Sequence, residues 1–369
     1  MKVVLTGGGT GGHIYPAVAI GRQLQREEPD TELLYIGTGR GLESRIVPEL
    51  GIPFESVDIT GFRRKLSLEN IKTVIRFVKG VKRAKGLLRR FRPDVVIGTG
   101  GYVCGPVVYA AAKLGIPTVI HEQNVDPGLT NKFLSRYADT VAVSFKESIG
   151  RFGSHSKVIH TGNPCATNVL HADKAKGFAS LGIPAGSRIV LFVGGSRGAK
   201  AFNDAMVEMA PQLDDIPGVQ FVFVTGETYY EKTREQVASL KGGSLSRLHI
   251  VPYLNNMAEV LAATSLVVSR SGASSLAEIT ALGIPSILIP SPNVTGNHQE
   301  PNARSLADAG AAVMILERDL TGQKLLKEIG AIVSKEDRLR AMGEAARKLG
   351  MPQSANVIAS EIKTLIKRK

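Results

Sequence analysis

Tryptophan is absent from the 369 residues, and cysteine occurs twice, as Cys104 and Cys165. Two thiols with no partners at ligand spacing make neither a zinc site nor a disulfide framework, and a reducing compartment is the default expectation. Aromatic side chains contribute only 5%. That leaves little for the stacking platforms of a nucleic-acid binder. No apolar run approaches the ~20 residues that a spanning helix needs. The start, MKVVLTGGG, enters a strand where a signal peptide would carry a longer apolar stretch. The pattern G-x-x-x-x-G-K-[ST] does not occur, which excludes a P-loop nucleotidase.

Acid is nearly missing from one stretch. Between Phe62 and Arg92 stand twelve basic residues and a single acid, Glu69, so most of the net charge of +13 lies there. The spacing predicts a helix over Ser67–Phe91. Ile71, Val74, Ile75, Val78 and Val81 form one stripe, expected to face the core. Phe77, Ala84, Leu88 and Phe91 form a second, adjacent stripe. A solvated helix face, a nucleic-acid patch and a lipid-docking surface all fit the charge. The second apolar stripe exceeds what one core face needs and favours docking on anionic lipid, with Phe77, Leu88, Arg76, Lys79 and Arg83 facing the membrane. Nucleic acid is not expected as a partner.

What is present elsewhere is a regular alternation. Strand candidates in the first half are Lys2–Thr6, Glu32–Ile36, Asp94–Ile97, Thr118–His121 and Thr140–Val143. Those in the second half are Arg188–Val193, Gln220–Thr225, His249–Val251, Leu266–Val268, Ser286–Ile289 and Ala312–Ile315. Helical stretches separate them, which argues for βαβ units and parallel sheets. The turn Thr161-Gly162-Asn163-Pro164 interrupts the rhythm. The expected domains are therefore 1–162 and 163–351, with a helix over 352–369. Ligands of such doubly wound domains bind at the C-terminal ends of the strands.

Three glycine loops follow strands and precede helices: Gly7 to His13, Gly98 to Tyr102 with Gly105-Pro106 beyond, and Gly194 to Ala199. Glycine permits close approach of a ligand, and the following helix offers free amides and the positive end of its dipole to an anion. Gly7, Gly9 and Gly12 fit G-x-G-x-x-G. The second strand, however, ends Tyr35-Ile36-Gly37-Thr38-Gly39 without the acid that a nicotinamide nucleotide requires. His13 is either an ordinary helix-start residue or a general base beside an anion loop. Ser275 and Glu278 match a helix capping box. Alternatively, the two oxygens of Glu278 could accept both hydroxyls of a ribose.

The ordered set GGGTGGH (from Gly7), GTGGYVCGP (from Gly98), HEQN (from His121), TGNP (from Thr161), GGSRGA (from Gly194), RSGASSLAE (from Arg270) and HQEPNA (from His298) spans essentially the whole chain. Together these motifs resemble the MurG-type UDP-N-acetylglucosamine–N-acetylmuramyl-(pentapeptide) pyrophosphoryl-undecaprenol N-acetylglucosaminyltransferases of glycosyltransferase family 28. The resemblance implies an α/β fold of the GT-B class, two Rossmann-like doubly wound parallel-sheet domains facing a cleft, with the C-terminal helix returning to the first. It implies an inverting transfer of N-acetylglucosamine from UDP-N-acetylglucosamine to the C4 hydroxyl of lipid I, the undecaprenyl-pyrophosphoryl-N-acetylmuramyl pentapeptide. The product is lipid II, used for peptidoglycan. The expected location is peripheral, at the cytoplasmic face of the cell membrane.

By the same resemblance Leu254 meets the uracil, Ser196 the diphosphate and Glu278 the ribose, with Ala273, Ser274, Ser275, Leu276 and Ala277 shaping that wall. Gln299 contacts the sugar, and Asn124 reaches the donor from the first domain. Thr10, Gly11 and Gly12 lie where sugar and acceptor meet, and the loop Gly100, Gly101 and Tyr102 takes the acceptor pyrophosphate. His13 is the expected base. Some members carry arginine two residues after the TGNP proline, where this chain has Ala166, so diphosphate neutralisation falls to loop amides and Arg197. No Asp-x-Asp ligand pair occurs, so neither a metal nor another cofactor is expected. The alternatives are a GT-B transferase with a soluble acceptor and a UDP-N-acetylglucosamine 2-epimerase.

Overall fold

The computed structural model describes residues 1–61, 68–153, 157–195, 198–240 and 245–368. The chain divides into two compact units. One comprises Met1–Thr167 with Gln353–Lys369, and the other Asn168–Pro352.

In the first unit the strands are β1 (Lys2–Thr6), β2 (Glu32–Gly37), β3 (Phe54–Ser56), β4 (Val95–Gly98), β5 (Thr118–Glu122), β6 (Thr140–Val143) and β7 (Lys157–His160). They form a seven-stranded sheet in the order β3-β2-β1-β4-β5-β6-β7, with every pair parallel. A parallel sheet is covered on both faces, so its strands read as continuous apolar runs. Val3, Val4, Leu5, Val95, Val96 and Ile97 are all fully buried. The helices are α1 (Gly11–Glu27), α2 (Glu43–Glu49), α3 (Leu68–Phe91), α4 (Cys104–Lys113) and α5 (Leu129–Leu134).

The second unit repeats the plan. Its strands β8 (Arg188–Val193), β9 (Val219–Val224), β10 (Leu248–Val251), β11 (Leu266–Ser269), β12 (Ser286–Leu288) and β13 (Ala312–Met314) form a parallel sheet in the order β10-β9-β8-β11-β12-β13. Its helices are α6 (Lys174–Leu181), α7 (Lys200–Met209), α8 (Tyr230–Ala238), α9 (Met257–Ala263), α10 (Ala273–Leu282), α11 (Gln299–Asp308), α12 (Gly322–Val333) and α13 (Glu336–Leu349). The last helix, α14 (Ser354–Arg368), belongs to the first unit. Its Ile358, Ala359 and Ile362 join the core of α1 and β1. Lys363 reaches Glu27 at 2.9 Å and Lys157 reaches Glu361 at 2.7 Å.

Helix α3 corrects the expected orientation. Leu88 is 1% exposed and Ala84 is fully buried, whereas Val74, Ile75 and Val78 are 50–63% exposed. Phe77 packs on Tyr109 and Phe133 at centroid distances of 5.9 and 6.0 Å. The stripe assigned to lipid is thus the core stripe, and Leu88 does not face a membrane. Both stripes are apolar, so periodicity alone could not choose between them. Gly80 decides the phase, since a Cβ there would lie 3.2 Å from Pro106. That is the face on which α4 approaches closely.

Candidate functional site

In both sheets the strand order reverses at one point, between β1 and β4 in the first unit and between β8 and β11 in the second. Ligands of doubly wound sheets bind at such switch points. The glycine loops sit there, because they follow β1, β4 and β8.

In the first unit the loops after β1 and β4 are stacked. The Gly8 N–H donates to the Gly100 carbonyl at 3.2 Å, and a Cβ on Gly101 (φ +84) would collide with the Gly8 backbone. His13 stands on the first turn of α1. Its Nδ1 lies 2.8 Å from the Gly8 carbonyl and 3.4 Å from Thr10 Oγ1. A carbonyl only accepts, so Nδ1 carries the proton in that contact, which leaves Nε2 as the basic nitrogen. The His13 carbonyl accepts from Thr99 Oγ1 at 2.6 Å. Thr10, Gly11 and Gly12 are solvent-accessible at the start of α1. Thr10 is its N-cap position and makes no side-chain cap. Tyr102 is 56% exposed.

The HEQN segment, at the end of β5, is held from inside. Glu122 is 2% exposed, and its carboxylate accepts from the Asn124 N–H and Nδ2 at 3.0 and 3.2 Å, the Gly128 N–H at 3.0 Å and Asn131 Nδ2 at 2.9 Å. Asn124 is thereby oriented by Glu122. His121 is fully buried and bonds the Gly162 carbonyl at 3.0 Å. Burial pushes its imidazole down to about 4, so it stays neutral and structural. Cys104 is equally inert, because burial pushes its thiol up to about 12. Ala166 is 1% exposed.

In the second unit, α10 begins at Ala273 after Gly272, with no side-chain cap and no acid in its first turn. The capping-box reading is therefore overturned, since α10 starts two residues before Ser275. Ser275 is exposed on the helix, while Ala273 and Leu276 are buried. Two polar groups near this helix start stand out. Ser274 Oγ is withdrawn from water without a partner. The Glu278 carboxyl has no hydrogen bond or ion pair among the described residues, and burial pushes it up to about 7. A buried polar group without a partner is costly. Gln299 opens α11, and its Oε1 accepts from the Ser291 N–H at 2.9 Å while its backbone carbonyl accepts from Ser271 Oγ. Leu254 is 8% exposed and lines a surface pocket with Tyr253, Asn255 and Asn256. Ser196 and Arg197 lie outside the described residues. Among the described residues, no three His, Cys, Asp or Glu side chains gather as a metal site.

One residue missed in the sequence is Glu43, at the start of α2. It is fully buried and bonds the loop after β1. The signal was available in Gly37-Thr38-Gly39-Arg40-Gly41, glycines crowded around a lone acid.

Comparison with known proteins accords with this geometry. Residues 3–143 match the glycosyltransferase family 28 N-terminal domain, and residues 189–358 match its C-terminal domain. The chain is 54% identical over 367 residues, all of both chains, to the UDP-N-acetylglucosamine–N-acetylmuramyl-(pentapeptide) pyrophosphoryl-undecaprenol N-acetylglucosamine transferase of Halalkalibacterium halodurans. It is also 54% identical over 368 residues, again all of both chains, to the corresponding transferase 1 of Bacillus cereus. The crystal structure of Acinetobacter baumannii MurG superposes with a TM-score of 0.78 at 29% identity, covering 98% of this chain and 99% of that one. A UDP-GlcNAc 2-epimerase from Neisseria meningitidis shares the fold alone, with a TM-score of 0.70 at 14% identity over 99% of this chain and 100% of that one. The two parallel-sheet units have the GT-B architecture, and the chain belongs to glycosyltransferase family 28.

Proposed function

We infer that the chain transfers N-acetylglucosamine from UDP-N-acetylglucosamine to the C4 hydroxyl of lipid I, giving lipid II for peptidoglycan synthesis. Full-length identity to transferases of that name supports the reaction. The observation that carries the donor site is the start of α10, where Ser274 Oγ is withdrawn from water without a partner and the half-buried Glu278 carboxyl has no hydrogen bond or ion pair among the described residues. A ribose presents two hydroxyl donors, which suit the two oxygens of Glu278. The α10 amides suit a phosphate, with Ser274 beside them and Ser196 contributing from the loop after β8. Ala273, Ser275, Leu276 and Ala277 shape this wall, Leu254 meets the uracil through its backbone, Gln299 contacts the sugar and Asn124 reaches the donor.

In the first unit, Gly100, Gly101 and Tyr102 take the acceptor pyrophosphate, and Thr10, Gly11 and Gly12 line the reacting end. His13 Nε2 accepts the proton as O4 of the muramyl group attacks the anomeric carbon. The bond from that carbon to the β-phosphate oxygen breaks, and UDP departs with the electron pair. Inversion gives a β-linked product. The developing charge falls to helix-start amides and hydroxyls.

Membrane attachment uses the outward face of α3. Val74, Ile75 and Val78 form an exposed apolar strip, and the exposed Lys72, Lys79 and Lys82 flank it without ion-pair partners among the described residues. Arg76 and Arg83 already pair with Asp58 and Glu55, at 3.8 and 3.2 Å. An apolar strip bordered by free cations suits an anionic leaflet, at about 1 kcal/mol per cation. No helix among the described residues is long and apolar enough to cross a membrane. The enzyme is peripheral, at the cytoplasmic face.

The decisive test supplies labelled UDP-N-acetylglucosamine with a lipid-linked muramyl pentapeptide. Label in the lipid fraction is expected, whereas turnover of donor without acceptor supports the epimerase reading. Flotation on anionic vesicles should fall when Val74, Ile75 and Val78 become serine, and undiminished flotation removes the membrane assignment.

A further inference from the structure

Glu43 is 0% exposed and has no cationic partner among the described residues. Its Oε2 accepts from the Gly9 N–H at 3.1 Å, and its Oε1 accepts from the Thr38 N–H at 3.1 Å and from Thr38 Oγ1 at 2.6 Å. The glycines around it make the space. A Cβ on Gly8 would lie 2.5 Å from Oε1, one on Gly37 would lie 2.7 Å from Cγ, and one on Gly41 would collide with the carboxylate. Three segments thus give up side chains to admit one buried charge. A structural role alone does not explain why that charge is aimed at the loop carrying His13.

The Gly9 N–H and the Gly8 C=O belong to the same peptide group. Glu43 holds its nitrogen end, and His13 Nδ1, at 2.8 Å, holds its oxygen end. The contacts run from carboxylate to peptide N–H, through the planar amide to its carbonyl, and on to the imidazole N–H. Hydrogen bonds in such a chain polarise one another in a low dielectric. An anion at the nitrogen end increases the negative charge on the carbonyl oxygen, which makes it a stronger acceptor from Nδ1–H. That fixes the tautomer and makes Nε2 more basic. We propose that Glu43 is a positioning residue that acts on His13 through the Gly8–Gly9 peptide, doing through one amide what a carboxylate in direct contact would do.

This rests on the assignment of His13 as base. Among the described residues the other titratable groups facing Glu43 are Tyr35 and Cys104, and burial raises both well above neutrality, so they carry no charge. Thr10 Oγ1 also lies near Nδ1 but does not titrate in this range. The relay has a further consequence. With the Gly9 amide bonded to a carboxylate, the loop after β1 is a poor anion site, and the acceptor pyrophosphate is left to the loop after β4.

The test is Glu43→Gln in the full-length enzyme, with labelled histidine followed by NMR and His13→Asn used to assign the signal. Glutamine fills the same space without the charge. The midpoint of the His13 titration should move to lower pH by roughly half a unit. The acid limb of kcat should follow it, with the KM for UDP-N-acetylglucosamine unchanged. A folded Glu43→Gln enzyme in which neither moves overturns the proposal. Should that variant fail to fold, Thr38→Val serves instead. Removing one donor strengthens the remaining bond from Gly9, so the midpoint should rise, and a fall or no movement overturns the relay. If His13→Ala keeps near-normal turnover, the base assignment fails by itself while the NMR shift still reports on the relay.

Discussion

Glu122 in the first unit is buried and Glu278 in the second is half-buried, and the two stand in opposite company. Glu122 accepts four hydrogen bonds from Asn124, Gly128 and Asn131. Glu278 accepts none among the described residues, and burial raises its carboxyl to about 7. A buried carboxylate that its own fold satisfies is part of the frame. One that the fold leaves unsatisfied takes its partners from a ligand. The first unit is built on satisfied acids, Glu43 and Glu122, which shape its loops. The second keeps its acid for the donor.

The contrast predicts different losses. Glu122→Ala removes the shared acceptor of four donors, with that of Asn131 left in the interior, and should cost about 2–4 kcal/mol of stability, measured by denaturant unfolding. A loss within about 0.5 kcal/mol, typical of surface changes, would break the comparison. Glu278→Ala should weaken binding of UDP-N-acetylglucosamine by about 1–3 kcal/mol and leave the unfolding free energy unchanged within about 0.5 kcal/mol, because the half-buried carboxyl has no hydrogen bond or ion pair to lose among the described residues. Unchanged donor affinity, or a stability loss like that of Glu122→Ala, would place Glu278 in the frame instead.

Much of this was legible before the structure. The central strands announce themselves as β-branched runs between glycine loops, and β1, β6 and β8 match their expected limits residue for residue. The edge strands β3 and β7 were missed, because a half-buried FES and KVIH lack the apolar run of a strand covered on both faces. In α3 the existence of two apolar stripes was readable but their assignment was not, since it depends on Gly80 meeting Pro106. The Ser275–Glu278 spacing suggested a cap because sequence does not show where a helix begins, and Gly272 starts α10 without one. For Glu43 the glycines of Gly37 to Gly41 were a readable sign but its role was not, since its partner Gly9 adjoins it only once β1 and β2 are paired.

The proton on Glu278 sharpens the contrast further. Its folded value, about 7, stands above the ordinary 4.5 because burial disfavours the anion. For a raised acid, the contribution to stability is fully present below 4.5 and is lost as pH rises through about 7. Binding runs the other way, because two ribose hydroxyls donate best to the ionised carboxylate. Affinity for UDP-N-acetylglucosamine should therefore tighten as pH climbs through about 7, with a proton released on binding below that point. The intact sugar nucleotide is the right probe, since its diphosphate is a diester with no ionisation of its own near neutrality. Calorimetry in buffers of different ionisation enthalpy counts the proton directly. Glu278→Gln should bind more weakly and lose the pH dependence, and a wild-type affinity that is flat with pH would show that the ribose does not need the anion.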